Sequence, residues 1–125
     1  MNKQLHELKQ EDYCYLTTTG RVTGNPHTIE IWFGLNDSTL YILSGGGDKS
    51  DWVKNLRKNP AVTVRIAKQT FNATTRIVED EAEQILARNL LADKYKERES
   101  DGSLSEWART ALVVAFDPST LEETT

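Results

Sequence analysis

Ile42-Leu43-Ser44-Gly45-Gly46-Gly47-Asp48-Lys49-Ser50-Asp51-Trp52-Val53-Lys54-Asn55-Leu56-Arg57-Lys58-Asn59-Pro60 changes character twice within nineteen residues. The apolar run Leu40 to Leu43 that feeds it reads as a strand. Three glycines break that strand, and a short helix opens near Asp48 to Ser50. Trp52, Val53 and Leu56 mark the helix's buried side, and Lys54, Arg57 and Lys58 its wet side. Basic residues late in a helix complement its negative end, and Asn59-Pro60 stops it. A strand that runs through glycines into a helix N-terminus leaves backbone N–H groups free. It also aims the positive end of the helix dipole outward, so it can hold an anion. Without a Cβ, the glycine backbone can approach a ligand closely.

The flanks of this turn are strands. Upstream, Tyr13 to Thr19 is rich in aromatic and β-branched residues, and Gly20 to Pro26 carries turn residues throughout. His27 to Leu35 then alternates, with Ile29, Ile31, Phe33 and Leu35 on one face and Thr28, Glu30, Trp32 and Gly34 on the other. Asn36-Asp37-Ser38 turns the chain into Thr39 to Ser44. Downstream, Ala61 to Ile66 and Thr70 to Val78 alternate on either side of a turn at Ala67-Lys68-Gln69. A long helix is expected over about Asp80 to Arg98. Ala82, Leu86 and Leu90 would form its buried stripe, widened by Ile85 and Leu91. Leu104 to Arg109 reads as a helical turn that tucks in Trp107, and Ala111 to Phe116 as an apolar strand in the core.

The count is six strands, mostly antiparallel by loop length, with two to three helices. That predicts a mainly β (α+β) fold in which a closed or nearly closed six-stranded barrel removes exposed edges. Residues 1–125 read as one domain, with a short helix in 1–10 that carries His6 on its solvated side and a loose tail at 118–125.

Composition narrows the function classes. The net charge of −4 is uneven: residues 1–68 hold nine Lys/Arg against seven Asp/Glu, and residues 69–125 hold six against twelve. That balance excludes general nucleic-acid binding but allows a local basic pocket for a small anion. No stretch approaches the ~20 apolar residues of a membrane span, and the N-terminus lacks an apolar signal region. Cys14 is the single cysteine, so no internal disulfide can form. These features fit a cytoplasmic protein without a membrane partner.

Arg21 and Thr23 sit between Gly20 and Gly24. Arginine grips phosphate or carboxylate with two bonds, although an exposed hairpin arginine would look the same in sequence. Trp32, beside Glu30, either covers a barrel end or lines a pocket for a flat ligand. His27 reads as a polar strand-edge residue and Cys14 as a small apolar one. No catalytic triad, metal cluster, Walker loop or GxGxxG is present. Hydride transfer by a bound flavin-like cofactor needs none of these, because the protein then supplies position and electrostatics.

Three blocks carry a resemblance: Leu16 to Pro26, Ser44 to Gly47, and Trp52 to Val62. In this order and spacing they resemble the deazaflavin (F420)-dependent nitroreductase family, within the pyridoxamine phosphate oxidase-like split β-barrel flavoproteins, over roughly residues 13–117. The resemblance implies that Arg21, Thr23 and Gly24 line the cofactor's phosphate-bearing tail. It implies that Gly46 and Gly47 approach by backbone and that Trp52 and Asn55 touch the cofactor from the helix. Ser44 would lie at the deazaflavin end near substrate, and Trp32 beside the ring. Lys49 would replace missing positive charge, since Val22 and Gly45 stand where the family often has basic residues. The implied activity is an F420H2-dependent oxidoreductase that passes a hydride to a quinone, enone or nitro compound, as a monomer or homodimer. The low charge of the cradle keeps FMN as an alternative cofactor. A non-catalytic flavin- or deazaflavin-binding module is the third reading.

Overall fold

The computed structural model describes residues 7–119. Seven strands and three helices follow one another: β1 (Cys14–Thr19), β2 (Pro26–Ile31), β3 (Gly34–Asn36), β4 (Thr39–Ser44), α1 (Asp51–Lys58), β5 (Ala61–Ile66), β6 (Gln69–Ile77), α2 (Glu81–Tyr95), α3 (Glu106–Thr110) and β7 (Leu112–Pro118). A 3₁₀ turn, Gly47–Lys49, sits between β4 and α1. The helix expected in 1–10 falls largely outside the described residues, as do His6 and the tail beyond Ser119; Leu8 to Gln10 form a turn.

The strands form one antiparallel sheet in the order β2-β1-β5-β6-β7-β4-β3. The number is seven rather than six because the expected strand His27 to Leu35 divides at Trp32-Phe33. Its first half pairs with β1, Cys14 opposite Ile31, and its second with β4, Gly34 opposite Tyr41. The break has a physical cause in α2. The Phe33 N–H donates to the Tyr95 hydroxyl at 3.0 Å, and the Phe33 carbonyl accepts from Lys94 Nζ at 3.0 Å. Side chains of the helix thus satisfy backbone groups that a ladder would otherwise hold.

β2 and β3 are the two ends of the sheet, yet only Trp32 and Phe33 join them. Three peptide steps reach no more than about 11 Å, so the sheet must curl until its ends come near each other. The result is a half-barrel rather than a flat sheet or a closed barrel.

The main core lies inside the curl and includes Leu16, Phe33, Leu40, Ile42, Val64, Ile66, Val114 and Phe116. A second cluster joins Tyr41, Leu43, Val113 and Ala115 to Ala87 and Leu91 of α2. β4 and β7 are therefore buried on both faces, which is why their sequences are continuous apolar runs and do not alternate.

The helix α2 departs from its expected form in two ways. It ends at Tyr95 because Lys96 takes the left-handed cap conformation, φ 60°. Its buried residues are Ala87, Leu91 and Ala92, whereas Ile85 and Leu86 of the expected stripe are 54% and 40% exposed. The helix docks along a narrow line against β3 and β7, and the half-buried Glu83, Arg88 and Tyr95 share that side with the buried alanines.

Candidate functional site

Two clefts open along β2. Ile29 borders the first and Ile31 the second. These residues lie two apart on one strand, about 7 Å, so the clefts lie side by side on this edge of the sheet.

The first cleft, about 560 Å³, lies between the Gly20 to Pro26 loop and α1. Arg21, Thr23, Trp52 and Asn55 all line it, together with Thr18, His27 and Asp51. Asn55 is buried, 4% exposed, and works as a hub. Its Nδ2 donates to Thr18 Oγ1 at 3.1 Å. Its Oδ1 accepts from the Arg21 N–H at 3.2 Å and from Arg21 Nη1 at 2.8 Å. Arg21 Nη1 also donates to the Asp51 carbonyl at 3.4 Å, and Nη2 to Asp51 Oδ1 at 3.2 Å. Lys58 Nζ donates to the Arg21 carbonyl at 3.1 Å. The loop is thus fastened to the helix. The three side-chain bonds of Arg21 use part of its five-donor fork, and the remainder could serve an anion.

The glycine turn lies beyond the same helix. Ser44 is buried, and its Oγ bonds the Gly47 carbonyl at 3.1 Å and Ser50 Oγ at 2.9 Å. The serine expected at the substrate end thus fastens the turn in this structure. Ser50 is the N-cap of α1 by position but makes no side-chain cap bond. Asp48 and Asp51 do not cap either: Asp48 accepts from Arg57, and Asp51 from Arg21. Gly47 needs its glycine, since φ is +60°, and a Cβ there would meet nothing within 4 Å. Gly45 and Gly46 are exposed, as is Lys49. A flat or anionic group therefore has open backbone to approach here.

The second cleft, about 470 Å³, is aromatic. Trp32 lies parallel to Tyr95 at 4.2 Å and meets Trp107 edge-on at 5.6 Å, 83° between planes. Tyr13, Glu30, Leu43 and Glu97 complete the lining. The Tyr95 hydroxyl lies 2.8 Å from the Asp12 carbonyl, and burial pushes its pKa up to about 12, so it stays protonated. A Cβ on Gly45 would lie 3.2 Å from Trp107, which brings the glycine turn against this cleft.

The ten sequence-derived residues therefore distribute as follows. Arg21, Thr23, Trp52 and Asn55 meet in the first cleft. Trp32 lines the second. Ser44, Gly46, Gly47 and Lys49 belong to the turn whose Gly45 lies against Trp107 of the second cleft, and they line neither cleft themselves. Gly24 closes its loop through its N–H to the Gly20 carbonyl at 2.9 Å. The sequence carries no signal that places His27 or Thr18 in the first cleft, or Tyr13 or Glu97 in the second. Among the described residues, no group of three His, Cys, Asp or Glu could hold a metal, and no helix is long and apolar enough to cross a membrane.

The family model described as F420H(2)-dependent quinone reductase matches residues 2–104. Solved structures share the fold at low identity. A candidate pyridoxamine 5′-phosphate oxidase from Listeria innocua is 22% identical, covers 94% of this chain and 91% of its own, and gives a TM-score of 0.70. A structure named as an F420-H2 dependent reductase is 20% identical, covers 85% of this chain and 94% of its own, and gives 0.68. A heme storage protein from Vibrio cholerae is 19% identical, covers 94% and 89%, and also gives 0.68.

Proposed function

The chain belongs to the F420H(2)-dependent quinone reductase family, and from that membership we propose that it reduces a small quinone-like acceptor with a hydride from reduced F420. It is an oxidoreductase of the F420-dependent class. The observation that carries the finer reading is the pairing of clefts along β2, one bounded by Arg21 and Asn55, the other by Trp32 and Trp107. An elongated cofactor suits that pairing: its phosphate-bearing tail would follow the first cleft and its flat ring would end at the mouth of the second, where the acceptor stacks. When bound, reduced F420 supplies the hydride; with one proton from solvent, the quinone becomes a hydroquinone and the cofactor is left oxidised.

The chain's own residues bind and orient. Arg21 offers its remaining donors to the tail, and Asn55 holds Arg21 in place. The Gly45 to Gly47 backbone lets the cofactor pass close to the turn. Trp32 and Trp107 flank the flat groups and keep water from them. The reading places this work in a single cofactor-binding domain, in the cytoplasm.

One observation favours FMN as a second reading. Arg21 is already paired with Asp51, so the first cleft offers little net positive charge to a long anionic tail. Titration of the purified protein with F420 and with FMN, followed by cofactor fluorescence, separates the two. F420 should bind, and its reduced form should be oxidised when 1,4-naphthoquinone is added. Tight FMN binding without any F420 response would overturn the proposal.

A further inference from the structure

The two clefts differ in charge as well as shape. The first is lined by Arg21, His27 and Asp51, so both signs are present. The second is lined by two carboxylates, Glu30 and Glu97, and by no Lys, Arg or His. Its apolar walls are the indoles of Trp32 and Trp107, which meet at 83° and form a corner for a flat ring. The corner is built in advance. Trp32 is stacked on Tyr95 at 4.2 Å, and the Tyr95 hydroxyl is fixed by the Phe33 and Asp12 backbone at 2.8–3.0 Å. A wall already ordered loses little entropy when a ligand docks.

We propose that Glu30 and Glu97 make this aromatic cleft, on the acceptor side of the proposed site, select planar acceptors without negative charge. The inference rests on the reductase reading for the word acceptor, while the charge selection stands on the cleft alone. A like charge brought against an unpaired carboxylate is repelled, whereas a neutral ring gains the same stacking without that cost. Neither carboxylate is neutralised by a salt bridge among the described residues: Glu30 accepts from the Tyr15 hydroxyl at 3.2 Å. At a separation of ~7 Å in water-like surroundings, each carboxylate disfavours an anion about threefold, so two give about tenfold.

The test is equilibrium binding to the full chain, read by quenching of tryptophan fluorescence. The probes are 1,4-naphthoquinone and its sulfonate, each titrated with and without F420. The neutral quinone should bind about tenfold more tightly than the sulfonate at low ionic strength. The Glu30→Gln/Glu97→Gln double variant should bring the two dissociation constants together, chiefly by tightening the sulfonate. Salt at 0.5 M should do the same in the unaltered chain by screening. Equal binding of the two quinones would overturn the inference. So would discrimination that persists in the double variant, or the absence of quenching by both probes. Failure to bind F420 while discrimination holds would count against the reductase reading alone, since F420 has its own fluorescence readout.

Discussion

Arg21 and Asn55 are joined twice: the guanidinium Nη1 and the backbone N–H of Arg21 both donate to Asn55 Oδ1, at 2.8 and 3.2 Å. The amide nitrogen of Asn55 holds Thr18 of β1 at 3.1 Å. One buried side chain therefore ties strand, loop and helix into the wall of the first cleft. Asn55→Ala removes the partner of each and should destabilise the fold by about 1–3 kcal/mol, the cost of stranding buried polar groups. Urea unfolding checks this, with a lower midpoint at an unchanged slope. An unchanged midpoint would mean that water replaces Asn55 without loss.

Asp51 competes with any bound anion for Arg21, since the two are paired at 3.2 Å and Asp51 is 85% exposed. An ion pair this exposed contributes little to stability. Asp51→Asn should therefore leave the unfolding midpoint nearly in place while strengthening F420 binding by about two- to fivefold. Arg21→Ala should weaken the same binding by about 1.5–3 kcal/mol. If Asp51→Asn weakens F420 binding instead, the carboxylate is a contact of the cofactor and not a competitor.

On α2, Leu91 is fully buried and Leu86 is 40% exposed, although both belong to the apolar stripe read from the sequence. Leu91→Ala should cost about 2–5 kcal/mol through lost burial and a cavity. Leu86→Ala should cost no more than about 0.5 kcal/mol. Thermal or urea unfolding of the two variants distinguishes the observed docking from the periodic one, which predicts similar losses.

That contrast shows what the sequence carried and what it did not. Local chemistry was legible. The glycines and Pro60 bound α1, and alternation located the strands β1, β5 and β6 to within a residue. The doubly buried strand β4 was clear from its apolar run. Long-range choices were not legible. Periodicity alone finds Ala82, Leu86 and Leu90 on α2, but the small residues Ala87 and Ala92 let the helix sit close to the sheet. The break at Trp32-Phe33 depends on Tyr95 and Lys94, sixty residues away in sequence. A similar separation hid the contacts of Trp32 with Tyr95 and Trp107. Arg21 lines the first cleft, and its pairing with Asp51 is visible only once loop and helix are in contact.

Tyr95→Phe tests the strand break directly. The ring keeps its stack on Trp32, but the hydroxyl that accepts from the Phe33 N–H and reaches the Asp12 carbonyl is lost. Stability should fall by about 1–3 kcal/mol, because a backbone N–H in a buried residue loses its partner. Amide hydrogen exchange at Phe33 should accelerate selectively. Unchanged protection at Phe33 would mean that Lys94 and local backbone hold the break without Tyr95.

The acid limb of stability should depend on Glu83. Arg76 grips both its oxygens at 2.8 Å, and the Tyr41 hydroxyl donates to Oε2 at 2.6 Å. The paired guanidinium first, and the tyrosine hydroxyl second, hold the Glu83 pKa down to about 2 from 4.5. A carboxylate that binds protons more weakly in the folded chain stabilises the fold above the unfolded pKa. Its contribution is complete above about pH 4.5 and is lost as pH falls toward 2. Glu83→Gln should therefore be less stable than the unaltered chain at pH 7, and its stability should fall less steeply between pH 5 and 2. Urea unfolding at a series of pH values reads both, because the difference between the two chains should shrink steadily through that window. A constant difference down to pH 2 would show that the Arg76–Glu83–Tyr41 cluster acts through packing and not through the charge on Glu83.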